Sequence, residues 1–141
     1  MSSNSLPNHY QAIQAASRSL KFQQISEDEV GVLLRLLVSS KPKAKVLELG
    51  TGTGMGLAWI ADGLDTEGEL ISVEKDPTLL DIARQFFGED PRIQLVNEEA
   101  SSWIEAHKDL QFDLICRYLG RKIFRFRARS SHGKAQRILF N

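Results

Sequence analysis

Apolar positions change their period along this chain, and the changes mark its elements. Tyr10, Ile13, Ser17 and Leu20 recur at helical spacing after Pro7, which predicts a first helix over about 8–21. Ser26 and Glu29 stand at the spacing of a capping box, and Val30, Leu33, Leu34 and Leu37 continue one face of a second helix to about Ser39. Pro42 among its lysines ends it. Lys45 to Leu49 is a short apolar run closing on glycines, as in a strand buried on both faces. Met55 to Leu64 then reads as a helix, Leu70 to Glu74 as a second strand, and Asp76 with Pro77 as the N-cap and first turn of a helix through Phe87. A third strand at Ile93 to Val96, a helix around Ser101 to His107 and a fourth strand at Phe112 to Cys116 complete the alternation. Strands and helices alternating at this spacing form βαβ units, hence an α/β fold with a mainly parallel sheet and helices on both faces.

Length and composition place these elements in a single domain: 141 residues, 42% hydrophobic, with one cysteine, Cys116, which has no partner for an intramolecular disulfide. The longest mainly apolar stretch, Val30 to Val38, is too short to cross a bilayer, and Met1 to Ser5 lacks the charged-then-apolar pattern of a secretory signal, so the expected location is the cytoplasm with no membrane partner. The net charge of zero conceals a division. Ten basic and all 18 acidic residues precede Cys116, whereas Arg117, Arg121, Lys122, Arg125, Arg127, Arg129, Lys134 and Arg137 follow it with no acid among them. So sharp a change within one folded plan is unusual. Three units are therefore expected: N-terminal helices over 1–44, a ligand-binding half domain over 45–115, and a basic tail over 116–141 that is not native to the fold.

The segment Val46-Leu47-Glu48-Leu49-Gly50-Thr51-Gly52-Thr53-Gly54 carries the chemistry. Glycines at a strand-to-helix turn let the backbone approach a ligand closely, and the following helix N-terminus offers unpaired N–H groups and the positive end of a dipole. The dinucleotide fingerprint G-x-G-x-x-G fails in both registers, since the sixth position falls on Met55 or Leu57. The pattern present is E-x-G-x-G-x-G. No metal-ligand spacing is found around His9, His107 or His132, Trp59 and Trp103 read as core residues, and no hydrolase elbow, zinc-protease or P-loop motif occurs.

At this point the chain resembles the class I S-adenosylmethionine-dependent methyltransferases, over roughly Val46 to Ile115. The resemblance implies a Rossmann-like sheet with strands in the order 3-2-1-4 present and strands 5–7 of the complete order 3-2-1-4-5-7-6 missing. It implies S-adenosylmethionine as cofactor, its methionine part wrapped by Gly50, Thr51, Gly52, Thr53 and Gly54 and its amino group oriented by Glu48. Glu74, 24 residues after Gly50, stands where the family places the acid that accepts hydrogen bonds from both ribose hydroxyls, followed by Lys75. Glu99, Ala100 and Ser101 correspond to the family's adenine contacts, and Asp113 to a structural residue. The two leading helices and I-S-V-E-K-D-P look most like small O-methyltransferases, which implies methylation of a small hydroxylated acceptor. Metal-dependent members carry a cation-binding aspartate just beyond the fourth strand. Here that segment reads Ile115-Cys116-Arg117-Tyr118-Leu119, so the ligand of a divalent metal possible in the intact family is absent. No catalytic residue and no metal ligand is assigned.

Beyond Ile115 the resemblance stops where the charge switches. Codons compatible with Ile115 through Ile138, read one base later, can spell Phe-Ala-Asp-Thr-Trp-x-Gly-Lys-Tyr-Phe-x-Leu-Glu and, further on, Met-Val-Lys-Pro-Ser-Gly, which restores an aspartate, a helix and a turn in the family's order. A shifted reading frame is therefore expected, leaving a chain that binds cofactor, is catalytically impaired, and exposes its fourth strand as an open edge. Two other functions stay open: an NAD(P)-binding Rossmann oxidoreductase, disfavoured by the glycine spacing and Glu48, and an RNA-binding protein or RNA methyltransferase using the tail, with Tyr118, Phe124 and Phe126 among its arginines. Nucleic acid is the disfavoured partner, a small-molecule substrate the favoured one, and a homodimer is open.

Overall fold

The computed structural model describes residues 5–20, 28–118, 124–129 and 135–140. Helices α1 (Tyr10–Ser19) and α2 (Asp28–Ser39) precede an alternation of β1 (Lys45–Leu49), α3 (Met55–Gly63), β2 (Glu69–Val73), α4 (Pro77–Phe87), β3 (Ile93–Val96), α5 (Ala100–Ala106) and β4 (Leu114–Tyr118). Two further strands, β5 (Phe124–Arg129) and β6 (Ala135–Phe140), close the order. The sheet runs β3-β2-β1-β4-β5-β6, with β1 parallel to β2 and β4, and β2 parallel to β3. The expected 3-2-1-4 arrangement is thus the architecture of the first four strands. Ser26, half of the expected capping box, lies outside the described residues.

The expectation of an open edge at β4 is corrected. Strand β5 pairs antiparallel with β4, from Leu114 opposite Ala128 to Tyr118 opposite Phe124, and β6 pairs antiparallel with β5. An antiparallel neighbour can be joined by a short link, whereas the parallel fifth strand of the complete order needs a crossover of a dozen residues or more.

Element ends shift from their expected places for local reasons. The second strand stops at Val73: the Glu74 N–H still completes the ladder to β3 by donating to Val96 O (2.9 Å), and its side chain turns to the β1–α3 loop, where its Oε1 accepts from Gly52 N (2.9 Å). The fourth strand starts at Leu114 because Asp113 is engaged with the first: its N–H donates to Lys45 O (2.8 Å), its carboxylate accepts from Lys45 N (2.9 Å), and Lys41 forms an ion pair with it. That is the structural role expected of Asp113. Asp76 caps α4 by accepting from Thr78 N (2.9 Å) ahead of Pro77, as expected.

The sheet buries a core on each face. On one side Val46, Leu70, Leu114 and Cys116 meet Ile13, Leu34, Val38, Leu57, Ile60, Ala83 and Phe87 from α1 to α4. On the other, Leu47, Leu49 and Val73 meet Trp103 of α5. Helix α3 is buried from Met55 through Ala61, because the sheet covers one flank and α2 the other. Trp59 is 1% exposed and lies beneath the Arg35 guanidinium, 4.8 Å from the ring centroid, while Arg35 pairs with Asp62 at 3.0 Å. Arg92 ties β3 to the end of α3 by donating to Leu64 O (2.7 Å) and Ala61 O (3.2 Å), held by Asp90. Among the described residues no helix is long and apolar enough to cross a membrane.

Candidate functional site

The turn between β1 and α3 is built by three residues that L side chains rarely imitate: Gly50, Gly52 and Gly54, at φ 97°, 57° and 103°. The turn starts where Gly50 N and Thr51 N both donate to Val73 O, at 2.8 and 3.3 Å, hooking the end of β1 onto β2. It ends on Gly54, the N-cap of α3, which has no side-chain cap; a Cβ there would come within 3.3 Å of the Phe87 ring. The amide end of a nine-residue helix is thus aimed along the loop.

Glu74 is brought to this loop. It is 8% exposed; Oε1 accepts from Gly52 N at 2.9 Å and Oε2 accepts from Asp76 N at 2.9 Å. Each oxygen keeps a second acceptor site, so the carboxylate is oriented and still able to receive two further donors. Asn97 holds the same corner, its Nδ2 donating to Glu74 O (2.9 Å) and Lys75 O (3.2 Å). Capping of the following turn accounts for the Asp76 N–Oε2 bond alone, whereas the Gly52 N–Oε1 bond ties Glu74 to the glycine loop.

Glu48 lies beneath the loop, 5% exposed, with Ser72 Oγ donating to its Oε1 at 2.6 Å and Thr51 Oγ1 2.6 Å from Ser72 Oγ. Since Ser72 has one proton and spends it on Glu48, Thr51 is the donor to Ser72. Burial pushes the Glu48 carboxyl up to about 8, opposed by the Ser72 hydrogen bond and assisted by the negative Glu74. Cys116, its neighbour across β4, is raised by the same burial and by Glu48. Because the folded value exceeds the ordinary 4.5, the unfolded chain releases a proton that the folded chain keeps between about pH 4.5 and 8. Stability contributed by this group is therefore complete below pH 4.5 and falls as pH rises through that window. Glu48→Gln, neutral at every pH, is expected to flatten this part of the Tm-against-pH curve; an unchanged slope would refute the assignment.

The expected adenine contacts lie elsewhere than the loop. Glu99 is the N-cap of α5: its carboxylate accepts from Ser102 N (3.0 Å), Ser101 Oγ (2.7 Å) and Ser102 Oγ (3.3 Å), and these bonds, Ser101 first, hold it down to about 2. Ser101 and Lys75 are exposed and Ala100 is half-buried. The structure thus joins Glu48, Gly50, Thr51, Gly52, Thr53, Gly54 and Glu74 in one bonded constellation, with Lys75, Glu99, Ala100 and Ser101 at the neighbouring strand ends. Sequence reasoning passed over Ser72 and Asn97. Ser72 carried a signal, as a polar residue inside the run Leu70-Ile71-Ser72-Val73; Asn97 carried none. Among the described residues no group of three or more His, Cys, Asp or Glu is gathered as a metal centre requires. His9 is exposed, His107 stacks on Trp103 with ring centroids 4.2 Å apart, and His132 lies outside the described residues.

A glycine turn feeding a helix N-terminus, with a buried acid just past the end of the next strand bonded to it, defines a Rossmann-like fold with its candidate site at the carboxyl ends of parallel strands. Residues 46–132 match the methyltransferase domain family, and the chain belongs to that family. It is 32% identical over 90 residues to a Mycobacterium tuberculosis protein named as a probable O-methyltransferase, a match covering 61% of this chain and 40% of that one. Among solved structures it is similar to a cofactor-bound protein from Mycobacterium tuberculosis (28% identity, TM-score 0.67, 74% of this chain and 50% of that one). The fold is also that of the Bacillus cereus O-methyltransferase in complex with SAH (22% identity, TM-score 0.70, 77% and 53%). The chain spans about 40% of the length of the curated relatives it matches.

Proposed function

We propose that residues 45–115 bind S-adenosylmethionine, and that the activity to which this half domain belongs is methylation of a small hydroxylated acceptor. The observation that carries the reading is the 2.9 Å bond from Gly52 N to Glu74 Oε1, which fixes the glycine loop and the diol-binding carboxylate as one unit. A carboxylate with a free acceptor site on each oxygen matches a vicinal diol, and each charged hydrogen bond contributes roughly 1.5–3 kcal/mol when partly desolvated. The loop backbone and the α3 N-terminus suit the carboxylate of an amino acid. Thr51 and Thr53 are 4% and 1% exposed, so these positions serve the ligand through their backbone. Bound there, the cofactor supplies a methyl group on a sulfonium. This chain's residues bind it, orient it and keep water from its buried side.

The oxidoreductase reading has no comparable support: the glycine spacing misses the dinucleotide fingerprint and Glu48 lies under the turn. S-adenosylhomocysteine is expected to raise the Tm of the chain and NAD to leave it unchanged; the reverse would sink the proposal. Residues 116–141 are read on the same basis as the product of a shifted frame, which leaves the chain able to hold cofactor and catalytically impaired. The charge switch at Cys116 and the codon-compatible Phe-Ala-Asp-Thr-Trp text support this. Sequencing the DNA across codons 113–120 decides it, a continuous basic frame being the contrary result.

A further inference from the structure

We propose that α1 is part of the cofactor site, with Ser17 as a positioning residue that sets the glycine loop through Thr53; this rests on the reading that the loop binds S-adenosylmethionine. Ser17 is fully buried on α1 and Thr53 is 1% exposed in the loop, 36 residues away in sequence, yet their hydroxyl oxygens are 2.7 Å apart. Ser17 Oγ also donates to Ile13 O at 2.7 Å. A hydroxyl has one proton, and Ser17 has spent its own on that carbonyl. Thr53 is therefore the donor and Ser17 its acceptor.

The direction of this bond has a consequence. Both loop threonines send their protons inward, Thr51 to Ser72 on β2 and Thr53 to Ser17 on α1, which staples the turn from two sides. Between and beside them stand Gly52 and Gly54, at φ 57° and 103°, the most easily turned residues of the segment. Helix α1 braces the far flank as well: the His9 ring lies 5.4 Å and 5.5 Å from Phe86 and Phe87, and Phe87 is the ring against which Gly54 sits. If Ser17 is lost, the Thr53 proton is buried with no acceptor, and the chain relieves this by rotating the loop at its glycines, away from the shape that receives the ligand. If Thr53 loses its hydroxyl instead, Ser17 remains satisfied by Ile13 O.

The two deletions are therefore unequal, and the double deletion is milder than one of the singles. By calorimetric titration of the full chain with S-adenosylhomocysteine, Ser17→Ala is expected to weaken binding on the order of tenfold, the cost of one orphaned buried donor. Thr53→Val should weaken binding less than Ser17→Ala does, because Ser17 stays satisfied by Ile13 O, and adding Thr53→Val to Ser17→Ala should recover part of the affinity that Ser17→Ala alone loses. Equal affinity for the parent and Ser17→Ala, or a double variant weaker than Ser17→Ala, overturns the proposal while leaving cofactor binding intact. Should Ser17→Ala fail to fold, the double variant must fold and bind, and its failure to do so overturns the proposal too. Absence of binding by the parent chain instead refutes the cofactor reading itself.

Discussion

Glu74→Gln weakens S-adenosylhomocysteine binding by about two orders of magnitude. The carboxylate serves two backbone donors, Gly52 N and Asp76 N, each at 2.9 Å. A carboxamide can satisfy only one of them through oxygen, and its NH2 group then faces the other, donor against donor. The proposed ribose hydroxyls meet the same defect, because one of their two acceptors has become a donor. Losing one charged hydrogen bond and weakening a second amounts to about 3 kcal/mol, which is roughly a hundredfold in affinity. Calorimetric titration of the variant, with circular dichroism to show that it is folded, reads this directly. A loss of less than fivefold would mean that Glu74 only shapes the turn.

Gly31→Ala destabilises the protein by about 2 kcal/mol, against the gain that alanine ordinarily brings to a helix. A Cβ at Gly31 would overlap Nε1, Cε2 and Cδ1 of the Trp59 ring, where α2 crosses α3. The ring has nowhere to go: it is 1% exposed, roofed by the Arg35 guanidinium and flanked edge-on by Tyr10 with centroids 6.1 Å apart. Helix propensity returns about 1 kcal/mol, and a Cβ driven this far into a closed ring costs about 3 kcal/mol, the upper end for overpacking, so the clash prevails by about 2 kcal/mol. The Tm should drop by roughly 5–10 °C. Combining Gly31→Ala with Trp59→Leu, which removes the obstructing ring, should cost less than the two changes added separately. Strict additivity would contradict the packing argument.

Much of this architecture is legible in the sequence because its signals are local. Helix α4 announces itself by Asp76 and Pro77, β1 by an apolar run ending in glycines, and the β1–α3 turn by three glycines at alternate positions. Glu74 could be singled out because the family that the chain resembles places an acid at this distance from its glycine loop. What escaped notice depends on contacts between distant segments. Ser17 sits on the apolar face of its helix and its period marks it as core, yet its function is defined by Thr53, which no local pattern reveals. Asn97 looks like any polar residue leaving a strand, and only the structure shows it holding the corner that carries Glu74. Glu99 and its neighbour Glu98 are indistinguishable by sequence, and the choice of Glu99 falls on a residue whose oxygens cap α5. The pairing of β5 on β4 lies beyond local reading as well, because alternating arginine and phenylalanine suits an extended chain without saying where it pairs.

We propose the β1–α3 turn and Glu74 as a site for S-adenosylmethionine. Isothermal titration of the full chain with S-adenosylhomocysteine, and in parallel with NAD, tests this. Saturable binding of S-adenosylhomocysteine at one site per chain, with no heat from NAD, is the predicted result. Binding of NAD, or of neither ligand by a chain that circular dichroism shows to be folded, would contradict it.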